Sequence, residues 1–375
     1  MEKKGYLLLA DGQLFEGVLR GAAKASTGEA VFLTSVVGYM DTLTDPAYAG
    51  QIVVQTFPQI GNYGVVPEAD LAVKPSLAGY VCRELCDAPC NFRCEGTLEK
   101  YLIDNGIPCL TGVDTRAITR RIREKGAMNA AILTEKPADV AAAAAELASL
   151  VIPAETETGV EDIVPAEKPG RYHVVLWDMG AKADTVAQLE KRGCAVTMVP
   201  ANVTAEAIAA LEPDGVVITN GAGNPEDCQD VADEIARLLN DKHLPVMGIG
   251  LGHQLIAISQ GAAIRKLPYG HRGGNQPIED LKTGVCGITS QNHGYEVDKE
   301  SLPENVSLRY INRNDGSCEG IDYLDMPVFS VQFQPAMTGG IHNGVKIGTH
   351  TLFDRFIALM GGNKECRCIL RSRKL

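Results

Sequence analysis

The sequence predicts a two-domain α/β protein: an N-terminal domain of mixed strands and helices, and a C-terminal domain built on a mainly parallel sheet. Three observations predict this class. Short strand signals dominate residues 1 to about 130, strand-like runs alternate with helical stretches after Tyr172, and an acidic, proline-bounded segment separates the two patterns. With 375 residues, 45% of them hydrophobic, the chain is long enough to form two packed cores.

The N-terminal domain is expected to span residues 1–150 and to begin with a β-hairpin. Residues 6–10 and 14–19 are apolar, strand-like runs, and the Asp11-Gly12 pair between them favours a tight turn. Two further strands and three helices are predicted: the strands are 30–34 and 51–57, and the helices are 97–105, 115–125 and 138–150.

Residues 151–170 are expected to link the domains, because acidic side chains alternate there with prolines. The C-terminal domain, residues 171–362, has the alternating pattern of βαβ units, in which strands lie parallel and ligands bind at their carboxyl ends. Residues 363–375 are expected to form a basic, mobile tail. The predicted strands are 173–177, 195–199, 215–219 and 245–249, and the predicted helices are 183–192, 203–211 and 226–240.

Composition and charge argue against several classes of function. The net charge is −12 and the basic residues are scattered, which argues against a nucleic-acid or anionic-membrane surface. No apolar run reaches the roughly 18 residues that a membrane-spanning helix needs. The first residues lack the apolar core of a secretion signal, so the expected location is the cytoplasm.

Four of the eleven cysteines recur at every fourth position: Cys82, Cys86, Cys90 and Cys94. Two interpretations stay open, a zinc or iron–sulfur site and a set of reduced, half-buried thiols. The spacing favours the thiols, because metal sites typically use cysteine pairs separated by two residues, and Pro89 interrupts any continuous helix. No metal is expected in this chain.

The predicted helix 115–125 is strongly basic. Its charged residues include Arg116, Arg120, Arg121, Arg123 and Lys125. The simpler interpretation is a solvated helix face, and the functional interpretation is a docking surface for an acidic partner.

The segment 245–255 predicts a buried strand, a glycine-flanked tight turn and a helix. This is the pattern of a nucleophile elbow, in which a strained turn residue projects its side chain from the top of a parallel sheet. The turn residue is Gly250, which tolerates the strained backbone but has no side chain that could react.

Three further segments accompany the elbow. Residues 219–225 form a glycine-rich loop directly after a predicted strand, where backbone N–H groups can provide an oxyanion hole. Residues 290–295, Ser-Gln-Asn-His-Gly-Tyr, and residues 330–336, Ser-Val-Gln-Phe-Gln-Pro-Ala, complete the set.

In this order and spacing, the four segments resemble those of class I glutamine amidotransferases. Residues 34–48, 58–64 and 113–126 resemble the small subunit of carbamoyl-phosphate synthetase, a family that joins such an N-terminal domain to a Rossmann-like class I amidotransferase domain. The resemblance covers nearly the whole chain and fails only in the tail. It implies a subunit that hydrolyses glutamine and passes ammonia through a tunnel to a large subunit, which makes carbamoyl phosphate from bicarbonate and ATP.

All three catalytic positions of that family are substituted. By resemblance, Gly250 stands at the position of the nucleophilic cysteine, Gln334 at that of the histidine, and Ala336 at that of the glutamate. The chemistry needs a thiolate, a base with a pKa near neutrality and a carboxylate that orients the base. No intact catalytic residue is therefore expected, and glutaminase activity is predicted to be absent. His253, inside the elbow motif, is expected to be structural.

The positions that the resemblance implies for glutamine binding carry compatible residues. They are Ser35, Gly221, Gly223, Leu251, Gln254, Asn292, Gly294 and Tyr295. Two neighbours depart from the family pattern, since Ala222 replaces a proline and Asn224 replaces an aspartate. Whether these positions still bind glutamine or only maintain the fold stays open.

Three functions remain open. The favoured one is a glutaminase-inactive small subunit that binds and stabilises a large subunit running on free ammonia, because the N-terminal family motifs accompany a substituted triad. The alternatives are a glutamine sensor that shifts its partner between states, and an interaction protein outside the pathway. ATP and Mg²⁺ are expected on the large-subunit partner, and no cofactor is expected in this chain. The sequence is compatible with pyrimidine and with arginine synthesis as the pathway, and with a natural or an engineered origin of the substitutions.

Overall fold

The computed structural model describes residues 3–66, 75–152, 159–336, 339–342, 345–348 and 351–372. The chain forms two compact units: the first contains Met1–Glu155 and Pro268–Gly274, and the second contains Thr156–Leu267 and Asn275–Leu375. Segment 268–274, which the sequence assigned to the second domain, groups with the first unit, where the Ala127 amide donates to the carbonyl oxygen of Pro268 at 2.7 Å. Part of the predicted linker, residues 153–158, lies outside the described residues.

Short strands and helices alternate in the first unit. The strands are β1 (Lys4–Leu9), β2 (Leu14–Gly21), β3 (Ser26–Leu33), β4 (Gln51–Gln55), β5 (Gln59–Ile60), β6 (Gly79–Val81), β7 (Glu84–Leu85), β8 (Pro108–Thr111) and β9 (Met128–Leu133). The helices are α1 (Tyr39–Leu43), α2 (Leu98–Asp104), α3 (Thr115–Lys125) and α4 (Val140–Ser149), with a 3₁₀ helix at Pro46–Tyr48.

Seven of these strands close into a barrel in the order β1-β2-β8-β6-β4-β3-β9. The run β3, β4, β6, β8 is parallel, and the other neighbouring strands are antiparallel. Alternate residues of each strand face one apolar cluster inside the barrel, among them Leu7, Ile52 and Leu110. The predicted hairpin and three predicted helices are present, but closure of the barrel was not predicted, because β6 and β8 have only three and four residues.

The second unit continues the numbering. Its strands are β10 (Tyr172–Asp178), β11 (Cys194–Pro200), β12 (Gly215–Ile218), β13 (Val246–Ile249), β14 (Ile264–Asp280), β15 (Val285–Val297), β16 (Val306–Asn312), β17 (Cys318–Tyr323), β18 (Val328–Val331), β19 (Gly339–His342) and β20 (Val345–Gly348). Its helices are α5 (Ala183–Glu190), α6 (Ala205–Ala210), α7 (Gln229–Leu238), α8 (Leu251–Ser259) and α9 (Thr351–Ser372), with 3₁₀ helices at Pro225–Cys228 and Lys299–Ser301.

A nine-stranded sheet in the order β11-β10-β12-β13-β18-β17-β16-β14-β15 forms the second unit. The first five strands are parallel, which confirms the predicted α/β class. The pairs β18/β17, β17/β16 and β16/β14 are antiparallel, and this extension was not predicted. An apolar cluster covers each face of the parallel strands. Strand β13 lies in the middle of the sheet and is buried throughout, so its carboxyl end is held on both sides by neighbouring strands.

Helix α9 corrects one expectation. It runs from Thr351 to Ser372, so most of the predicted tail continues a helix. No proline or glycine follows Gly362 to stop the helix. Among the described helices, none is both long and apolar enough to cross a membrane.

The four regularly spaced cysteines differ in exposure. Cys82 is buried, Cys86 and Cys94 are half-buried, and Cys90 is exposed. Within the described residues, none of the four belongs to a group of three or more side chains close enough together to hold a metal ion.

Candidate functional site

A strained turn at the carboxyl end of β13 is the centre of the candidate site. Gly250 has φ 57° and ψ −112°, a backbone conformation that residues with side chains rarely adopt. Its amide donates to the carbonyl oxygen of Val331 at 2.9 Å, and α8 begins at the next residue. The predicted strand, turn and helix are therefore present, in the geometry of a nucleophile elbow.

The direction of a side chain at this turn follows from the backbone of Gly250. A Cβ atom built on Gly250 would lie 2.9 Å from Cβ of Asn220 and 3.9 Å from the carbonyl oxygen of Gln332. A side chain at this position would thus project between the loop after β12 and the segment after β18. Gly250 itself offers no nucleophilic atom at that place.

The glycine-rich loop follows β12, as predicted. Gly221 lies against the first residue of α8, since a Cβ atom on Gly221 would meet Leu251 Cδ2 at 3.0 Å. Gly223 has φ 104°, which favours glycine. The Asn224 side chain accepts a hydrogen bond from the Glu226 amide at 3.2 Å and caps the 3₁₀ helix that follows. Asn224 therefore caps this helix with a side-chain oxygen, as an aspartate would.

Gln254 connects three of the four sequence segments. It lies in the first turn of α8 and is 4% exposed. Its Nε2 donates to the carbonyl oxygen of Tyr295 at 2.8 Å and to Oε1 of Gln332 at 2.9 Å. The structure thus joins two implied glutamine-binding positions and adds Gln332, which sequence reasoning did not single out. The only sequence signal for Gln332 was its place in the segment 330–336.

Three amide side chains, two beside the elbow and one on β15, each keep one buried atom unpaired within the described structure. These atoms are Oδ1 of Asn220, Nδ2 of Asn292 and Nε2 of Gln332. An unpaired buried polar atom costs about 1–3 kcal/mol. One acceptor and two donors in these segments are therefore left without a partner among the described residues. Gly294, the other implied position on β15, is half-buried.

The segment after β18 holds Gln334 and Ala336, the two other positions that the resemblance implies to be catalytic in the family. Gln334 is 4% exposed, and its backbone amide donates to the carbonyl oxygen of Ser290 at 2.9 Å. Ala336 packs against the apolar cluster that contains Phe333 and Phe353. A neutral amide and a methyl group therefore stand where the resemblance implies a base and a carboxylate. Neither side chain can accept a proton from a nucleophile at neutral pH.

Ser35 is the only implied glutamine-binding position in the first unit. It follows β3 and is buried, and its carbonyl oxygen accepts a hydrogen bond from Nε2 of Gln55 at 2.7 Å. This bond fixes the backbone of the loop that leaves β3.

His253 is fully buried behind the elbow. Its Nδ1 lies 2.8 Å from Oγ of Ser330, so it joins α8 to β18. Burial lowers the pKa of His253 to about 3, because the charged imidazolium would lose its hydration. The imidazole is therefore neutral near pH 7 and has a structural role.

His253→Gln is expected to make the fold less sensitive to acid. The pKa of His253 is about 6.5 in the unfolded chain and about 3 in the folded chain. Between about pH 6.5 and pH 3 the unfolded chain therefore binds more protons than the folded chain. Stability then falls as the pH is lowered through this window. From pH 8 to pH 5 the contribution of His253 is a loss of about 2 kcal/mol. Urea unfolding of both proteins at both pH values measures the difference, and equal losses would contradict it.

Comparisons with known proteins identify the family. The model described as carbamoyl-phosphate synthase small chain, CPSase domain, matches residues 7–132, and the model described as glutamine amidotransferase class-I matches residues 175–358. The carbamoyl phosphate synthase small chain of Fusobacterium nucleatum is 44% identical over 96% of this chain and 99% of its own length. The small chain of Symbiobacterium thermophilum is 43% identical over 94% and 97%, respectively, and that of Bacillus caldolyticus is 42% identical over 95% and 96%.

The amidotransferase match includes the elbow, the glycine-rich loop and the segment after β18. The small-chain match covers most of the barrel of the first unit. At this level of identity along nearly its whole length, the chain belongs to the carbamoyl phosphate synthase small chain family.

Proposed function

We propose that this chain is a carbamoyl phosphate synthase small chain that does not hydrolyse glutamine, and that it acts as a scaffold for a large-chain partner that uses free ammonia. One observation carries the proposal. Gly250 occupies the strained position of the elbow and has no side chain, so the turn is built but lacks a nucleophile.

The magnitude of the loss supports inactivity rather than reduced activity. Removing the nucleophile from a hydrolytic triad lowers kcat by about six orders of magnitude, and removing the partners as well adds little. Gln334 and Ala336 also lack acid–base groups, so no neighbouring side chain at these positions compensates for Gly250.

The rest of the chain supports a scaffold role. The strained turn, the buried hydrogen bonds of Gln254 and the closed barrel of the first unit are all present. A protein that keeps both folded units without a nucleophile can still bind and stabilise a partner. ATP and Mg²⁺ would bind to that large chain, and their chemistry requires nothing from the three substituted positions.

The nitrogen source tests the proposal directly. The chain is combined with a large chain, and carbamoyl phosphate is measured with glutamine and then with ammonium chloride as the nitrogen donor. We expect product with ammonium and none above background with glutamine, and a more stable or more active large chain in the complex than alone. Glutamine-dependent product would overturn the inactivity, and a failure of the two chains to associate would overturn the scaffold role.

A second candidate is a glutamine sensor. The unpaired acceptor of Asn220 and the unpaired donors of Asn292 and Gln332 favour it, because a primary amide offers the matching donor and acceptor. Such a chain would bind glutamine intact and shift its partner between states by differential affinity. Calorimetric titration that shows no heat at millimolar glutamine would remove this candidate.

A further inference from the structure

Three arginines lie along one side of α3. Arg116, Arg120 and Arg123 are four and three residues apart, so they fall within about 60° of arc and are about 6 Å and about 4.5 Å apart along the axis. All three are exposed. They are called the arginine stripe below.

Two of the three arginines of the stripe have no partner within the described part of the chain. Arg121, on a neighbouring side of the helix, forms an ion pair with Asp11, and the guanidinium of Arg123 lies 5.9 Å from the centroids of the Phe32 and Tyr269 rings. Arg116 and Arg120 form no ion pair, hydrogen bond or ring contact with any described residue. The chain has 47 acidic residues against 35 basic ones, so carboxylates are not scarce.

The helix that carries the stripe is firmly held. The Asp114 side chain caps its first turn by accepting a hydrogen bond from the Ala117 amide at 2.9 Å. Ile118 and Ile122 are fully buried in the apolar cluster of the barrel. The backbone positions of the arginines are thus fixed before any partner binds, which lowers the ordering cost of association. Arg116 and Arg120 are like charges four residues apart, a spacing that slightly destabilises a helix, so the fold gains nothing from this pair.

We propose that the arginine stripe docks onto an acidic surface of the large-chain partner. This inference rests on the proposed scaffold function. Guanidinium groups pair with carboxylates through two parallel hydrogen bonds, and arginine is enriched at protein interfaces. The net charge of −12 opposes the approach of a polyanion such as a nucleic acid, whereas a local patch of opposite sign can still steer one acidic surface into register.

Charge reversal tests the stripe. The double variant Arg116→Glu/Arg120→Glu and the wild type are titrated against the large chain at low and high salt. We expect at least about ten-fold weaker binding of the variant at low salt, through slower association, and a smaller difference at high salt. The matched control is Lys24→Glu/Lys136→Glu, which changes the net charge equally at two exposed lysines of the same unit, and its affinity should stay close to that of the wild type. Thermal unfolding of each variant verifies the fold.

Each other outcome has a distinct meaning. Wild-type affinity in the folded arginine variant overturns the stripe and leaves the scaffold function standing. Equal weakening in both double variants shows an effect of net charge alone and also overturns the stripe. Failure of the wild type to bind the large chain overturns the scaffold function, and the stripe proposal with it. If the variant binds the large chain as the wild type does but no longer binds a single-stranded oligonucleotide, the stripe is a nucleic-acid surface and the proposal is wrong.

Discussion

Introducing together the three side chains that the resemblance implies for the catalytic positions, as Gly250→Cys, Gln334→His and Ala336→Glu, is expected to give this chain glutaminase activity up to about six orders of magnitude above that of the wild type. A hydrolytic triad acts as one unit, so the gain is not shared equally among the three changes. Gly250→Cys alone should gain little, because no base activates the thiol. Gly250→Cys with Gln334→His should recover about two orders of magnitude, and the carboxylate should supply the rest.

The structure indicates that Ala336→Glu is the most difficult of the three changes. At Gly250 the backbone is already in the strained conformation, but a Cβ atom fits only if Asn220 shifts, since the two Cβ atoms would be 2.9 Å apart. Ala336 packs against an apolar cluster, so a carboxylate there is stable only if it is paired with the new imidazole. Ala336→Glu alone is therefore expected to lower stability, and Gln334→His should relieve part of that cost.

Release of glutamate from glutamine measures the restoration. The matched control is the triple variant with Gly250→Ala in place of Gly250→Cys, which has the same backbone strain, the same histidine and the same glutamate but no thiol. Its activity should equal that of the wild type. If the cysteine-containing triple variant folds and still binds glutamine but does not hydrolyse it, the positions assigned by resemblance are not the catalytic ones.

The elbow could be predicted from sequence because its determinants are local. A buried run, a glycine at the strained position and an apolar helix lie within the eleven residues 245–255, and the structure has β13, the turn and α8 there. The strands and helices of the parallel half were predictable for the same reason. Each is an apolar run with its own pattern, bounded by turn residues.

The contacts between segments could not be predicted in this way. Gln254 and Gln332 are separated by 78 positions, and nothing local to either residue indicates that their side chains form a hydrogen bond. The same holds for the barrel, where Val18 of β2 pairs with Thr111 of β8. Strands as short as β6 and β8 become recognisable only when their partners supply the hydrogen bonds. The resemblance assigned Gln334 and Ala336 to one segment, but it gave no indication of the apolar surroundings of Ala336.

Gly252→Ala is expected to destabilise the second unit by about 2–3 kcal/mol and to displace the elbow. Two effects oppose each other at this position in the first turn of α8. Alanine favours a helix over glycine by at most about 1 kcal/mol. Against this gain, a Cβ atom on Gly252 would overlap the carbonyl oxygen of Ile218 and lie 2.7 Å from its carbonyl carbon and 2.9 Å from its Cγ2. The overlap is with backbone of a buried strand, so it cannot be relieved by a side-chain rotation, and α8 must move.

Gly361→Ala provides the matched control, since it makes the same substitution in helix α9. Among the described residues, a Cβ atom on Gly361 meets only the hydroxyl of Tyr172, at 3.2 Å, so a shift of a few tenths of an ångström would relieve the contact. Gly361→Ala should therefore change the free energy of unfolding much less than Gly252→Ala, and its value should stay within about 1 kcal/mol of that of the wild type. Urea unfolding measures both. If Gly252→Ala were neutral, α8 would not be held against β12 as described. The backbone strain at Gly250 would then no longer be evidence for a retained elbow, because that strain persists only while the helix and the strand fix the turn from both sides.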